Sequence, residues 1–177
     1  MEPYSLIESK ETYRGKIITV NMDTIMLPNG ERTVREIVRR GGAAAVLPVD
    51  ANGNIIFVRQ YRHPARAFTL ELPAGMLDEG EEPEACARRE LEEETGMVAG
   101  EIRPFFKMYP TIGLCDETLH LFLASDLRQG TQHTDPDEFV EVERYSPEEA
   151  AAMIFDGRIM DGKTIAGVLA YLYIGRK

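Results

Sequence analysis

The chain has 177 residues, of which 44% are hydrophobic and 28% charged, and a formal net charge of −10. That length buries one core of ordinary size, and the acidic balance excludes nonspecific nucleic-acid binding, which draws its affinity from Lys and Arg on phosphates. No run of about 18 apolar residues is present to span a membrane.

Taken in chain order, the opening MEPYSLIESKETYRGK lacks the basic-then-apolar layout of a secretory signal. Residues 13–40 alternate apolar and polar positions around the turn signal PNG at 28–30, which predicts an antiparallel pair. AAAVLPV (43–49) and NIIFVRQ (54–60) flank DANG and read as a second hairpin. FTLEL (68–72) is a strand stopped by Pro73. A helix over about 84–95 follows, with Pro83 in its first turn and Gly96 just past its end. Strands are expected at 101–108 and 118–124. SPEEAAAMIFDG (146–157) carries a Ser cap, a first-turn Pro and a terminal Gly, and DGKTIAGVLAYLYIG reads as a third, apolar helix. Strands interleaved with helices imply an α/β or α+β layered domain. Cys86 and Cys115 match no zinc or thioredoxin spacing and read as reduced thiols of a cytoplasmic protein.

RELEEE at 89–94 concentrates acid on one helical turn, where Glu90, Glu93 and Glu94 share a face. Like charges at that spacing cost a few tenths of a kcal/mol per pair. One explanation is a solvated face partly neutralised by Arg88 and Arg89. The other is a hard divalent cation, Mg²⁺ or Mn²⁺, which prefers carboxylate oxygens. The surroundings favour the cation. Gly75, Glu81, Arg89, Glu90, Leu91, Glu93, Glu94, Gly96 and Met97 satisfy Gly-x5-Glu-x7-Arg-Glu-U-x-Glu-Glu-x-Gly-U, with U a bulky aliphatic.

This pattern resembles the Nudix box of the Nudix hydrolases. The resemblance implies an α/β/α sandwich with a mixed central sheet, preceded by N-terminal antiparallel strands. It also implies hydrolysis of a diphosphate linked to another moiety, with Mg²⁺ or Mn²⁺. Glu90, Glu93, Glu94 and the Ala74 carbonyl are the expected metal ligands. Arg89 would orient the glutamates, Glu81 would brace the loop, and Gly75 and Gly96 are structural. The cations would then reconcile an acidic protein with an anionic substrate.

Outside the box, RTVREIVRRGGAAAVLPVD (33–50), VRQYR (58–62), ELPAG (71–75), GLCDETLHLFLA (113–124) and DEFVEVERYSPEEA (137–150) are similar to bacterial ADP-ribose pyrophosphatases. The resemblance implies hydrolysis of ADP-ribose to AMP and ribose 5-phosphate. It also implies a homodimer in which residues 1–42 form a strand region exchanged between copies and residues 43–177 form the hydrolase domain. Arg35, Glu36, Arg59, Arg62 and Glu117 match substrate-binding positions. Arg35 with Glu36 could instead be a cross-strand ion pair worth under about 1 kcal/mol, and Arg59 and Arg62 ordinary edge-strand charges. The catalytic base is Glu138 or Glu93, with Asp135 or Asp137 as substitutes, because Pro136 stands where a second loop glutamate is expected. Ile112 occupies the place of an expected proline, and Lys16 that of an adenine-stacking aromatic. Another nucleoside diphosphate sugar, such as GDP-mannose, is therefore the alternative substrate. A non-catalytic ADP-ribose sensor is the alternative of another class, disfavoured by the complete set of box glutamates.

Overall fold

A computed structural model describes residues 4–134 and 138–175. Asp135 and Asp137, candidates for the base, lie outside the described residues.

The chain forms two compact units. The first runs through Gly42 and is joined by Tyr109–Thr118; the second holds Ala43–Met108 and Leu119 onward. In the first unit, β1 (Ser5–Arg14), β2 (Thr19–Met26) and β3 (Arg32–Arg39) form an antiparallel sheet in that order. The alternation in 13–40 gives the β2–β3 pair, with Met22 opposite Glu36 and Asp23 opposite Arg35. β1 pairs with β2 through two register shifts, and all ten of its residues are exposed. Nothing in its polar sequence marks an inward face, which is why the alternation argument did not find it. Segment 109–118 joins β3 laterally: Val38 N donates to the Leu114 carbonyl at 2.9 Å and Asp116 N to the Val38 carbonyl at 3.2 Å.

The second unit contains β4 (Gly42–Pro48), β5 (Ile55–Arg62), β6 (Ala67–Glu71), β7 (Ala74–Met76), α1 (Pro83–Thr95), β8 (Met97–Met108), β9 (Thr118–Gln129), β10 (Glu141–Tyr145), α2 (Pro147–Phe155) and α3 (Gly162–Gly175). One sheet has the order β7-β4-β9-β8 and the other β10-β5-β6. The result is a mixed α+β fold with a mixed central sheet and N-terminal antiparallel strands.

The second hairpin expected around DANG is corrected here. The turn itself forms: Asp50 Oδ1 accepts from Asn52 N at 2.8 Å and Asn54 N at 2.9 Å, and Gly53 has φ +83°. Yet β4 and β5 enter different sheets, joined beside the turn by the bridge Val49–Ile55 rather than by a ladder. Both strands are buried over most of their length, so each is covered on both faces rather than paired as a half-exposed ribbon.

The alternation of β4 shows how the layers are built. Ala43, Ala45 and Leu47 point into a core shared with Ala150 and Met153 of α2 and Val168 of α3. Ala44 and Val46 point the other way, to Cys86, Ala87 and Leu91 of α1. Helices thus cover both faces of the central sheet. β10 lies in a stretch whose acidity reads as loop, and its pairing with β5, Val142 opposite Val58, is a long-range contact that local composition does not announce. α2 starts as expected: Ser146 Oγ accepts from Glu149 N, and the Glu149 carboxylate accepts from Ser146 N, a reciprocal capping box.

Candidate active site

α1 starts with Pro83 and ends at Gly96, whose φ of +68° is left-handed and whose N–H donates to the Glu92 carbonyl at 2.8 Å. Cys86, Ala87, Leu91, Glu94 and Thr95 are its buried residues. A carboxylate inside that apolar set is the anomaly that marks the site.

Glu94 is 3% exposed, and its Oε2 accepts the backbone N–H of Ala74 at 3.0 Å. Burial first, and then the charge of Glu90, push its carboxyl up to about 8; the Ala74 N–H offsets only part of this. Burial likewise raises Glu90 above the ordinary carboxylate range, against the opposing hydrogen bond from Arg89. The Glu138 charge acts on both in the same upward direction. Glu90 and Glu94 are both desolvated and both feel the Glu138 charge, so a positive charge among them would favour their ionised forms.

Arg89 gathers the rest of the motif. Its Nε and Nη2 fork onto Glu81 at 2.9 Å each, Nη1 reaches Glu90 at 2.6 Å and Glu93 at 3.0 Å, and Nη2 also donates to the Met76 carbonyl at 3.2 Å. That fork holds Glu81 at about 2. Glu81 Oε2 in turn accepts from Asp78 N at 3.0 Å, closing the loop before the helix. Gly75 lies opposite Ala44 in the β4–β7 ladder, and a Cβ there would run into the Glu90 carboxylate. Only glycine leaves room for that approach. Burial drives the Cys86 thiol up to about 12, so it is an inert packing group; its Sγ contacts the Met76 carbonyl at 3.4 Å.

The segment after β9 is tied to the end of α1. Gly130 N donates to the Gly96 carbonyl at 2.7 Å, Gln132 Nε2 to the Glu94 carbonyl at 2.8 Å, and His133 N to the Glu93 carbonyl at 3.1 Å. These donors satisfy last-turn carbonyls that a helix leaves orphaned. Sequence reasoning assigned no role to Gln132, and an isolated Gln in a polar stretch carries no signal of one.

Among the described residues no three His, Cys, Asp or Glu side chains already converge in the geometry of a metal cluster. The donors nevertheless fit a hard divalent cation: all are oxygens, two are raised first by burial and then by neighbouring carboxylates, and Gly75 leaves room for the Glu90 carboxylate against β7.

The other expected site residues fall in both units. In the first, Arg35 and Glu36 are exposed on β3; Arg35 Nη1 donates to Thr33 Oγ1 at 3.0 Å, so it bonds along its own strand rather than to Glu36. Glu117 forms an ion pair with Arg40 at 3.6 Å. In the second, Arg59 lies 3.8 Å from Glu143 with its guanidinium 5.4 Å from the Phe68 ring centroid. Arg62 forks onto Glu71 through Nε and Nη2, both at 2.8 Å. Glu71, within ELPAG, carries no local signal of a role, and its buried pairing is a long-range feature.

A NUDIX domain matches residues 39–166. The chain is 41% identical over 170 residues to the ADP-ribose pyrophosphatase of Bacillus subtilis (strain 168), covering 95% of this chain and 91% of that protein. It is 40% identical over 144 residues to the GDP-mannose pyrophosphatase of Pectobacterium atrosepticum, covering 76% and 74%. Among solved structures, one described as an ADP compounds hydrolase superposes with a TM-score of 0.88 at 20% identity, covering 98% of this chain and 94% of that one; this likeness concerns the fold.

Proposed function

The chain belongs to the NUDIX domain family, and from that premise we propose that it hydrolyses the diphosphate of ADP-ribose to AMP and ribose 5-phosphate. The observation that carries this reading is the buried Glu94, raised by desolvation and by Glu90, with the Glu138 charge acting on both. The family acts with divalent metal ions; Mg²⁺ or Mn²⁺ is proposed here, held by Glu90, Glu93, Glu94 and the Ala74 carbonyl. When bound, the cation supplies neutralisation of the diphosphate and acidifies water.

The chain's own groups do the rest. Arg89 fixes the rotamers of Glu90 and Glu93, and Glu81 fixes Arg89. Ala74 orients Glu94 through its N–H. Glu138 or Glu93 takes the proton from the attacking water. Arg62 serves the diphosphate or the adenine, Arg35 and Glu36 meet the nucleotide, and Arg59 and Glu117 complete the substrate-binding set. The protein acts as a cytoplasmic homodimer that exchanges residues 1–42 around the hydrolase domain 43–177. Exposed Leu6, Ile7 and Tyr13 on β1 support that assembly, since an edge strand with outward apolar groups is a template for pairing. No helix among the described residues is long and apolar enough to cross a membrane.

A second reading keeps the chemistry and changes the substrate to GDP-mannose. Two observations support it: Ile112, 74% exposed in segment 109–118, stands where the resemblance to ADP-ribose enzymes implies a proline, and a GDP-mannose pyrophosphatase is 40% identical over 144 residues. Turnover of ADP-ribose, GDP-mannose, UDP-glucose, NADH and Ap4A, with Mg²⁺ and with EDTA, tests both. Dominant chelator-sensitive cleavage of ADP-ribose supports the first reading, and dominant cleavage of GDP-mannose the second. A protein that binds ADP-ribose without cleaving anything is a sensor.

A further inference from the structure

Arg62 and Lys163, a hundred residues apart in the chain, meet on one carboxylate. Glu71 has only 4% of its side chain exposed. Its Oε1 accepts from Arg62 Nε at 2.8 Å and Thr69 Oγ1 at 2.7 Å, and its Oε2 from Arg62 Nη2 at 2.8 Å and Lys163 Nζ at 2.5 Å. Lys163 is nearly buried and also lies 3.1 Å from Asp161 Oδ2. Thr164 completes the join: its Oγ1 accepts from Leu72 N at 2.8 Å and donates to Asp161 Oδ2 at 2.6 Å. The first turn of α3 is thus latched to Glu71–Leu72, two residues before Ala74.

Two consequences follow from elementary electrostatics. A fork onto a fixed carboxylate locks the guanidinium plane, so Arg62, whose side chain is 43% exposed, presents its remaining nitrogen, Nη1, in one orientation. Lys163 supplies a second positive charge to the same carboxylate, and Asp161 balances it. The four groups sum to zero, with Arg62 at the exposed end. Removing the Lys163 charge would leave two carboxylates against one guanidinium and turn the local field against an anion.

We propose that Lys163 is a positioning residue: through Glu71 it holds the Arg62 guanidinium oriented and electrically available to the diphosphate of the substrate. This rests on the reading of Arg62 as a diphosphate-binding group. It assigns a functional role to the start of α3, a segment whose sequence reads simply as a core helix.

The test is calorimetric binding of ADP-ribose and GDP-mannose in EDTA, where no turnover intervenes, to the wild type, Arg62→Ala, Lys163→Met, Lys163→Arg and the double variant Arg62→Ala/Lys163→Met. Lys163→Met is expected to weaken binding on the order of tenfold, and Lys163→Arg to restore most of it. The double variant should lose well under the product of the two single losses, because Lys163 acts chiefly through Arg62. Wild-type affinity in Lys163→Met overturns the proposal. So does a double variant whose loss equals the product of the single losses, which would mean direct contact or general damage. Lys163→Gln serves in the same cycle if Lys163→Met does not fold. Wild-type protein that neither binds the nucleotides in EDTA nor cleaves them with Mg²⁺ overturns the functional reading and the proposal together; cleavage with Mg²⁺ but no binding in EDTA, or binding with additive losses, overturns the proposal alone.

Discussion

The backbone N–H of Ala74 donates to Oε2 of Glu94 at 3.0 Å, joining the short strand β7 to the buried end of α1. That bond and the Lys163 charge oppose the burial and the like charges that raise Glu94, and they do not overcome them. The Ala74 bond fixes where the carboxylate sits while leaving it short of positive charge.

Glu94→Gln keeps the shape and removes the ionisation. Turnover should fall at least about a hundredfold, with the circular dichroism spectrum unchanged. Because the folded value of about 8 lies above the ordinary 4.5, the folded state holds the proton more tightly than the unfolded chain. Stability from this group is therefore present below about 4.5 and is lost as pH rises through about 8 in metal-free protein. Denaturant unfolding of wild type and Glu94→Gln across that window, in EDTA, should give a difference that grows with pH in favour of the variant. A flat difference would remove the desolvated carboxylate from the account.

Arg89→Lys retains a cation but not the fork that spans Glu81, Glu90 and Glu93. A drop of about 1–3 kcal/mol in stability is expected, together with weaker Mg²⁺ activation. Full activity in this variant would show that a point charge suffices and that the geometry of Arg89 is dispensable.

At Gly75 an added methyl meets a carboxylate, the movable end of a flexible side chain, rather than fixed backbone. Gly75→Ala should cost about 1–3 kcal/mol of stability while displacing Glu90 and abolishing most turnover. Thermal melting and initial rates on the same preparation separate the two; a large loss of stability with normal specific activity would contradict the arrangement.

Glu71 titrates in the opposite sense from Glu94. Burial opposes its charge, but the Arg62 hydrogen bonds and the Lys163 charge prevail and hold it at about 2. Its contribution is present above about 4.5 and is lost as pH falls through about 2. Glu71→Gln should cost roughly 2 kcal/mol at neutral pH, below the ~3–5 of a wholly buried pair because the Arg62 head is part-exposed. Acid titration of stability should show a smaller loss in the variant than in wild type; equal losses would mean that Glu71 is not the group responsible.

The elements with local signatures were legible in the sequence. Pro83 and Gly96 bracket α1 within a residue of expectation, and Ser146 with Glu149 marks the start of α2. The box was legible because all its positions fall within a short stretch of chain and match the pattern by which the family is recognised, although only Arg89–Glu94 of it is helical. What escaped was set by partners distant in the chain. β4 and β5 separate because each is buried on both sides, although a well-formed turn joins them. β10 finds β5 across more than 70 intervening positions, and Glu71 finds Lys163 across 92. Periodicity records which face is buried but not what buries it.

All ten residues of β1 are exposed, and this has a thermodynamic consequence. Ordering each residue costs about 1–2 kcal/mol of chain entropy, while a ladder hydrogen bond returns about 0.5–1.5 kcal/mol net. Without burial to tip that balance, the amides of residues 5–14 should exchange with deuterated solvent orders of magnitude faster than those of β4, and on dilution their protection should be the first to vanish.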